Sequence, residues 1–375
     1  MRLLRYALVF PVSCLCLCLC AQQSPSEGSP KSEPEARPAS DATTMRPAGI
    51  PGLDPKTGKP FYRSIHENWK SLSVKGSEFS PETPLVGQVD EQEKFTRTLV
   101  SLKWRAGDPL DVYVIVPKGV TKAPAVLYLY NYDQDTERFK NDQWCEGVTA
   151  SGVAAVGFVS ALSGHRFHDR PLKQWFVSEL EESLGSTVHD VKFILDYLDS
   201  RGDIDMSRIG MFGQGSGGTI AILAAAADTR IQAIDVLEPW GDWPVWLRAS
   251  SVIQQDDPEK ERYAQKEFLK QVEPLDPVKW LPKLKSTKIR IQQVAEYDDS
   301  VPAECQDRIK KAAPKQAEVN RFDSTVQLAT IEGGGRMWQW MHDALAKPKT
   351  AQNSTPNTVA DKAPVPGNAA VRNKR

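Results

Sequence analysis

The chain has 375 residues, 40% apolar and 25% charged, an ordinary globular composition with ample material for one large α/β domain or two smaller ones. Its 47 basic and 48 acidic residues leave a formal net charge of −1, so no bulk field draws it to nucleic acid or an anionic membrane surface. The sequence has no Walker-type glycine loop and no zinc-spaced Cys/His cluster, and no cofactor or metal is expected.

The first element is "MRLLRYALVFPVSCLCLCLCAQQ". Arg2 and Arg5 precede an apolar run from Ala7 to Leu19, and the small residue Ala21 marks a plausible cut, so residues 1–21 read as an export signal. The run is short for a membrane span, and polar sequence follows at once. Export to a periplasmic or extracellular space is therefore expected. A lipid anchor is disfavoured, because Leu17 and Leu19 stand where a small residue precedes a lipid-modified cysteine. Four of the six cysteines belong to this leader. Cys145 and Cys305 remain, and the sequence leaves open whether they pair.

Residues 22–51 are rich in Ser, Pro, Glu and Ala, and 347–375 are polar, proline-punctuated and basic at the tip. Neither stretch can offset its own ordering entropy, so both are expected to be disordered around a folded unit at 52–346.

Inside that unit, "FTRTLVSLKW" and "DVYVIVPKG" alternate around "RAGDPL", which predicts an antiparallel hairpin. The two-faced apolar run "APAVLYLYNY" follows, then a helical stretch through Trp144, then "GVAAVGFVSA". "SELEESLGSTVHDVKFILDYLDS" has helical spacing. It leads to the short strand "RIGMFG" and the small-residue helix "GGTIAILAAAAD". Next come "IQAIDVLEP", a Trp- and charge-rich insertion, "KIRIQQVAEYD", a helix from about Ala303, "VQLATIEGGG" and a last helix "MWQWMHDALA". Continuous β runs separated by helices predict an α/β fold: a mostly parallel sheet, helices on both faces and an antiparallel amino-terminal edge. Sheets of this kind place their sites at the carboxyl ends of their strands.

This order resembles the α/β-hydrolase family, in particular its dienelactone-hydrolase, acetyl-xylan-esterase and prolyl-peptidase-like branch. "RIGMFGQGSGG" resembles the strand-turn-helix that presents the nucleophile. "AEYDDSVP" resembles the acid loop and "IEGGGRMW" the histidine loop, in the chain order of the family. The resemblance implies that Asp298 is the acid. It places Gly215, without a side chain, at the nucleophile position and Arg336 at the histidine position. A guanidinium stays protonated and cannot accept a proton from a serine. Ser216 falls one residue late, where its backbone N–H would face an oxyanion. The strand end that carries the other oxyanion-hole group in the family reads Tyr130, Asn131, Tyr132.

Two functions follow. The first is an exported, catalytically inactive hydrolase-fold protein that keeps a cleft for a small molecule or carbohydrate, with Arg336 salt-bridged to Asp298. The second is an active hydrolase of esters or peptide-like amides that uses Ser216 or another nucleophile. Trp240, Trp243 and Trp246, three residues apart, serve either as a ligand platform or as a packed lid. The other histidines, His66, His165, His168, His189 and His342, are not at the expected place. The sequence does not set the oligomeric state.

Overall fold

The computed structural model describes residues 67–105, 108–163, 166, 176–295 and 300–346. All of them fall in the unit Phe61–Arg375. The expected leader at 1–21, the 22–51 segment and the 347–375 tail lie outside the described residues.

Nine strands form one sheet: β1 (Leu85–Glu91), β2 (Phe95–Leu102), β3 (Leu110–Pro117), β4 (Ala123–Leu129), β5 (Ala154–Gly157), β6 (Ile204–Gln214), β7 (Ile231–Leu237), β8 (Lys288–Val294) and β9 (Glu318–Phe322). Their order is β1-β2-β3-β5-β4-β6-β7-β8-β9. The six strands from β5 to β9 are parallel, while β1, β2 and β3 close the edge antiparallel. The hairpin around "RAGDPL" is β2–β3, paired from Phe95 with Pro117 to Leu102 with Leu110.

The helices are α1 (Glu137–Lys140), α2 (Asp142–Thr149), α3 (Leu180–Arg201), α4 (Ser216–Ala227), α5 (Trp243–Ala249), α6 (Lys260–Tyr263), α7 (Lys266–Val272), α8 (Pro277–Trp280), α9 (Ala303–Ala312), α10 (Thr325–Glu332) and α11 (Arg336–Leu345). Because side chains alternate across a strand, β6 feeds two cores at once. Met211 joins the core under α3 and α4, where Leu184, Val188, Ile220 and Leu223 are fully buried. Phe212 joins the opposite core, with Val148 of α2 and Met341 and Leu345 of α11. The parallel strands are apolar on both faces for this reason: every residue of β4 is buried. Among the described residues no helix is long and apolar enough to cross a membrane.

Two elements depart from the sequence expectation. "VQLATIEGGG" contains helix α10, and the last strand is the earlier segment Glu318–Phe322. That strand lies at the sheet edge with only Phe322 buried, so it has no apolar run to announce it. At the other edge β1 is exposed along almost its whole length and carries no alternation.

Candidate functional site

The turn after β6 is built by glycines for close approach. A Cβ on Gly213 would collide with the backbone of Gly217, and one on Gly217 with the carbonyl of Leu129 at the end of β4. These contacts let α4 start directly above the strand ends. Gly215 lies between them at φ +57° and ψ −121°, a region that costs any residue with a side chain about 1–3 kcal/mol. Its N–H donates to the Leu237 carbonyl at 2.9 Å, and its carbonyl accepts from the Thr219 N–H at 3.2 Å. The strained turn is intact, but its outward vector carries no side chain.

Asn131 occupies the space where that side chain would point. A Cβ built on Gly215 would lie 2.5 Å from Asn131 Oδ1 and 3.0 Å from its Cγ. The same Oδ1 accepts the Ser216 backbone N–H at 3.1 Å and the Ser216 hydroxyl at 3.1 Å. Ser216 Oγ accepts in turn from the Tyr132 N–H at 2.9 Å. Asn131 is itself oriented by its Nδ2, which donates to Asp133 Oδ1 at 3.0 Å. An acyl-transfer site needs the N–H after the elbow and one from the loop after the neighbouring strand to converge, unoccupied, on a developing oxyanion. Here both donors face internal acceptors.

Ser216 is fully buried. Its hydroxyl closes the hydrogen-bond chain from Tyr132 to Asn131, the local satisfaction that a helix-start serine commonly finds.

Arg336 is the first residue of α11 and is exposed. Its Nη2 donates to the Thr330 carbonyl at 2.5 Å and its Nε to the Ile331 carbonyl. The cation therefore completes the carboxyl end of α10, whose last carbonyls lack helical partners. Gly334 and Gly335, at φ +65° and +91°, reverse the chain so that this contact forms. These contacts direct the Arg336 side chain to the end of α10. The loop that follows the last strand is Asp323–Ser324, and Arg336 lies one helix further on. Asp298, its expected partner, falls in 296–299, outside the described residues, as does Asp299.

Trp240, Trp243 and Trp246 are each no more than 1% exposed. Trp240 stacks on Trp246 at 4.4 Å and meets Tyr132 edge-on at 5.6 Å, while Tyr132 stacks on Phe176 at 4.7 Å. Thr219 Oγ1 ties the Trp240 carbonyl to α4 at 2.8 Å, and Trp246 Nε1 donates to the Ser300 carbonyl at 2.9 Å. The ligand-platform expectation is corrected accordingly: these rings are packed core. Trp338 and Trp340 belong to the opposite face of the sheet, with Trp144 and Arg290.

His189 is buried on α3, with Nδ1 2.6 Å from Glu67 Oε1 and Nε2 3.0 Å from the Ser71 carbonyl. His342 is buried on α11, and burial holds its pKa below the usual histidine range. His66, His165 and His168 lie outside the described residues. Cys145 and Cys305 are both buried and free. Burial pushes both thiols up, Cys305 to about 12, and neither has the character of a reactive thiolate.

A buried ion network behind the loop after β5 has no local sequence signature. Asp190 accepts from Trp104 Nε1 at 3.1 Å, from Arg166 Nη1 at 2.5 Å and from Arg105 Nη1. Arg105 also pairs with Glu67 and Arg166 with Asp108. The arginines hold the Asp190 carboxyl below the usual carboxylate range despite its burial.

No protein-family model matches the chain. It is similar to the curated Bacillus subtilis (strain 168) protein "Putative hydrolase YtaP", 26% identical over 162 residues, or 39% of this chain and about half (53%) of that relative. Among solved structures it is similar to acetyl xylan esterase 1 from a Thermoanaerobacterium species (TM-score 0.54, 12% identity, 71% of this chain and 89% of that one). It is similar also to an S-formylglutathione hydrolase from Agrobacterium tumefaciens (0.52, 13%, 70% and 99%). A third is a cold-adapted esterase from an Arctic intertidal metagenomic library (0.51, 13%, 69% and 98%). The chain has the α/β-hydrolase fold.

Proposed function

We propose that this α/β-hydrolase-fold protein is not a serine hydrolase and that it acts by binding. The observation that carries this reading is the Asn131 side chain. It fills the place of a nucleophile at Gly215 and accepts from the N–H that would stabilise an oxyanion. A triad acts as a unit, so a site lacking its nucleophile retains at most the effect of its backbone donors. Here those donors are occupied as well. Ser216 does not replace the nucleophile, because its hydroxyl is fully buried and hydrogen-bonded on both sides. The leader Met1–Ala21 supports export of the mature chain.

Hydrolysis of p-nitrophenyl acetate tests this reading. The purified chain is expected to match its Ser216→Ala variant and the uncatalysed rate. Turnover that disappears in Ser216→Ala would establish the active-hydrolase alternative.

A further inference from the structure

The edge of the sheet opposite the Gly215 turn is concave. A groove of about 620 Å³ opens there, within the size range of small-molecule sites. Its floor is the amino ends of β6, β7 and β8. Its walls are the last turns of α4 and α11 and the segment that follows α8.

Its charge is one-sided. Among the described residues the charged lining residues are Arg208, Lys283 and Lys288, and none of the lining residues is a carboxylate. Arg208 is the one with an acidic partner, Asp205 at 2.8 Å. Lys288 Nζ donates to the Ala344 carbonyl at 2.6 Å, one of its three N–H groups. Lys283 Nζ stands 3.7 Å from the centroid of the Trp280 ring, a cation–π contact that fixes it without neutralising it. Among the described residues neither lysine has a carboxylate within ion-pair distance. A concave surface whose cations lack carboxylate partners among the described residues carries a local positive potential, on a chain whose net charge is −1. The remaining polar lining consists of hydroxyls and an amide, Gln232 and Ser286 among them, which suit a polyhydroxylated ligand.

We propose that this groove binds a small carboxylated sugar, with the carboxylate on Lys283 and Lys288 and the hydroxyls on the amide and hydroxyl groups around them. An acidic peptide is the competing occupant, and tri-glutamate separates it from the sugar in the test below. The proposal does not depend on whether the Gly215 turn is catalytic.

Titration of the full chain with tri-galacturonate tests it, followed by calorimetry. Saturable binding with Kd below about 1 mM is expected. Maltotriose, neutral and of equal length, is expected to bind at least about tenfold more weakly. Lys283→Gln combined with Lys288→Gln is expected to raise Kd by about tenfold or more, and added salt to weaken binding. Both lysines are exposed, so an unchanged melting temperature in the double variant separates loss of binding from loss of folding. Lys288→Arg, which keeps the charge, is expected to retain most of the affinity. The proposal is overturned by no saturation at about 10 mM sugar, by an unchanged Kd in the double variant, or by tri-glutamate binding as tightly as the uronate.

Discussion

The two edges of the parallel sheet handle their polar groups in opposite ways. At the carboxyl edge, above Gly215, the donors that an acyl-transfer site leaves open are closed by neighbours. Asn131 takes the Ser216 N–H, and the Ser216 hydroxyl takes the Tyr132 N–H. At the amino edge, Lys283 and Lys288 stand in a groove with no carboxylate partner among the described residues. On the proposed reading, a fold keeps the backbone of a reactive turn while its donors are engaged internally. The difference lies in which hydrogen-bonding groups are already satisfied.

The comparison can be broken most severely at the carboxyl edge through the ion network behind it. Asp190→Ala removes the carboxylate shared by Arg105 and Arg166 and is expected to cost about 3–5 kcal/mol in urea unfolding, because buried cations lose a partner. A cost under about 1 kcal/mol, the level of a surface pair, would contradict the network's role.

Next in size is Gly215→Ser, expected to cost about 2–3 kcal/mol from the left-handed backbone and the contact with Asn131. In an Asn131→Ala background the same change should cost about 1 kcal/mol less. Strict additivity in this double-mutant cycle would mean that the asparagine does not occupy the nucleophile's place.

A pH test comes third. Glu182 is half-buried, and burial, reinforced by Glu179, pushes its pKa up to about 7 from 4.5. The folded protein then holds the proton more tightly than the unfolded one, so stability falls as pH rises from about 4.5 to about 7 and levels off above. Glu182→Gln is expected to add about 1–2 kcal/mol at pH 8, allowing for partial exposure, and almost nothing near pH 4. An equal gain at both pH values would contradict the assignment. The smallest effect belongs to Arg336→Ala, about 0.5–1 kcal/mol, from loss of the carbonyl contacts that end α10.

Much of this was legible in the sequence where the signal is local. The β2–β3 hairpin shows as alternation, β4 as an uninterrupted apolar run, and the turn after β6 as glycines at fixed spacing, so Gly215 could be placed by counting letters. Asn131 could be named from its strand end, but its contact with Ser216 joins residues 85 apart and needs the folded chain. The Asp190 network spans separations of 24 to 86 residues and leaves no local mark. Strand β9 was passed over because an edge strand with one buried residue resembles a loop, and α10 because only Leu328 of its eight residues is buried. The tryptophans were visible, but three-residue spacing does not distinguish a core from a platform.

The most direct test is intact-mass spectrometry of the purified chain after exposure to a fluorophosphonate probe. An unchanged mass is predicted, with Gly215 offering no nucleophile and Ser216 shielded by Asn131 and Tyr132. A stoichiometric adduct that maps to Ser216, or to any residue around the Gly215 turn, would contradict it.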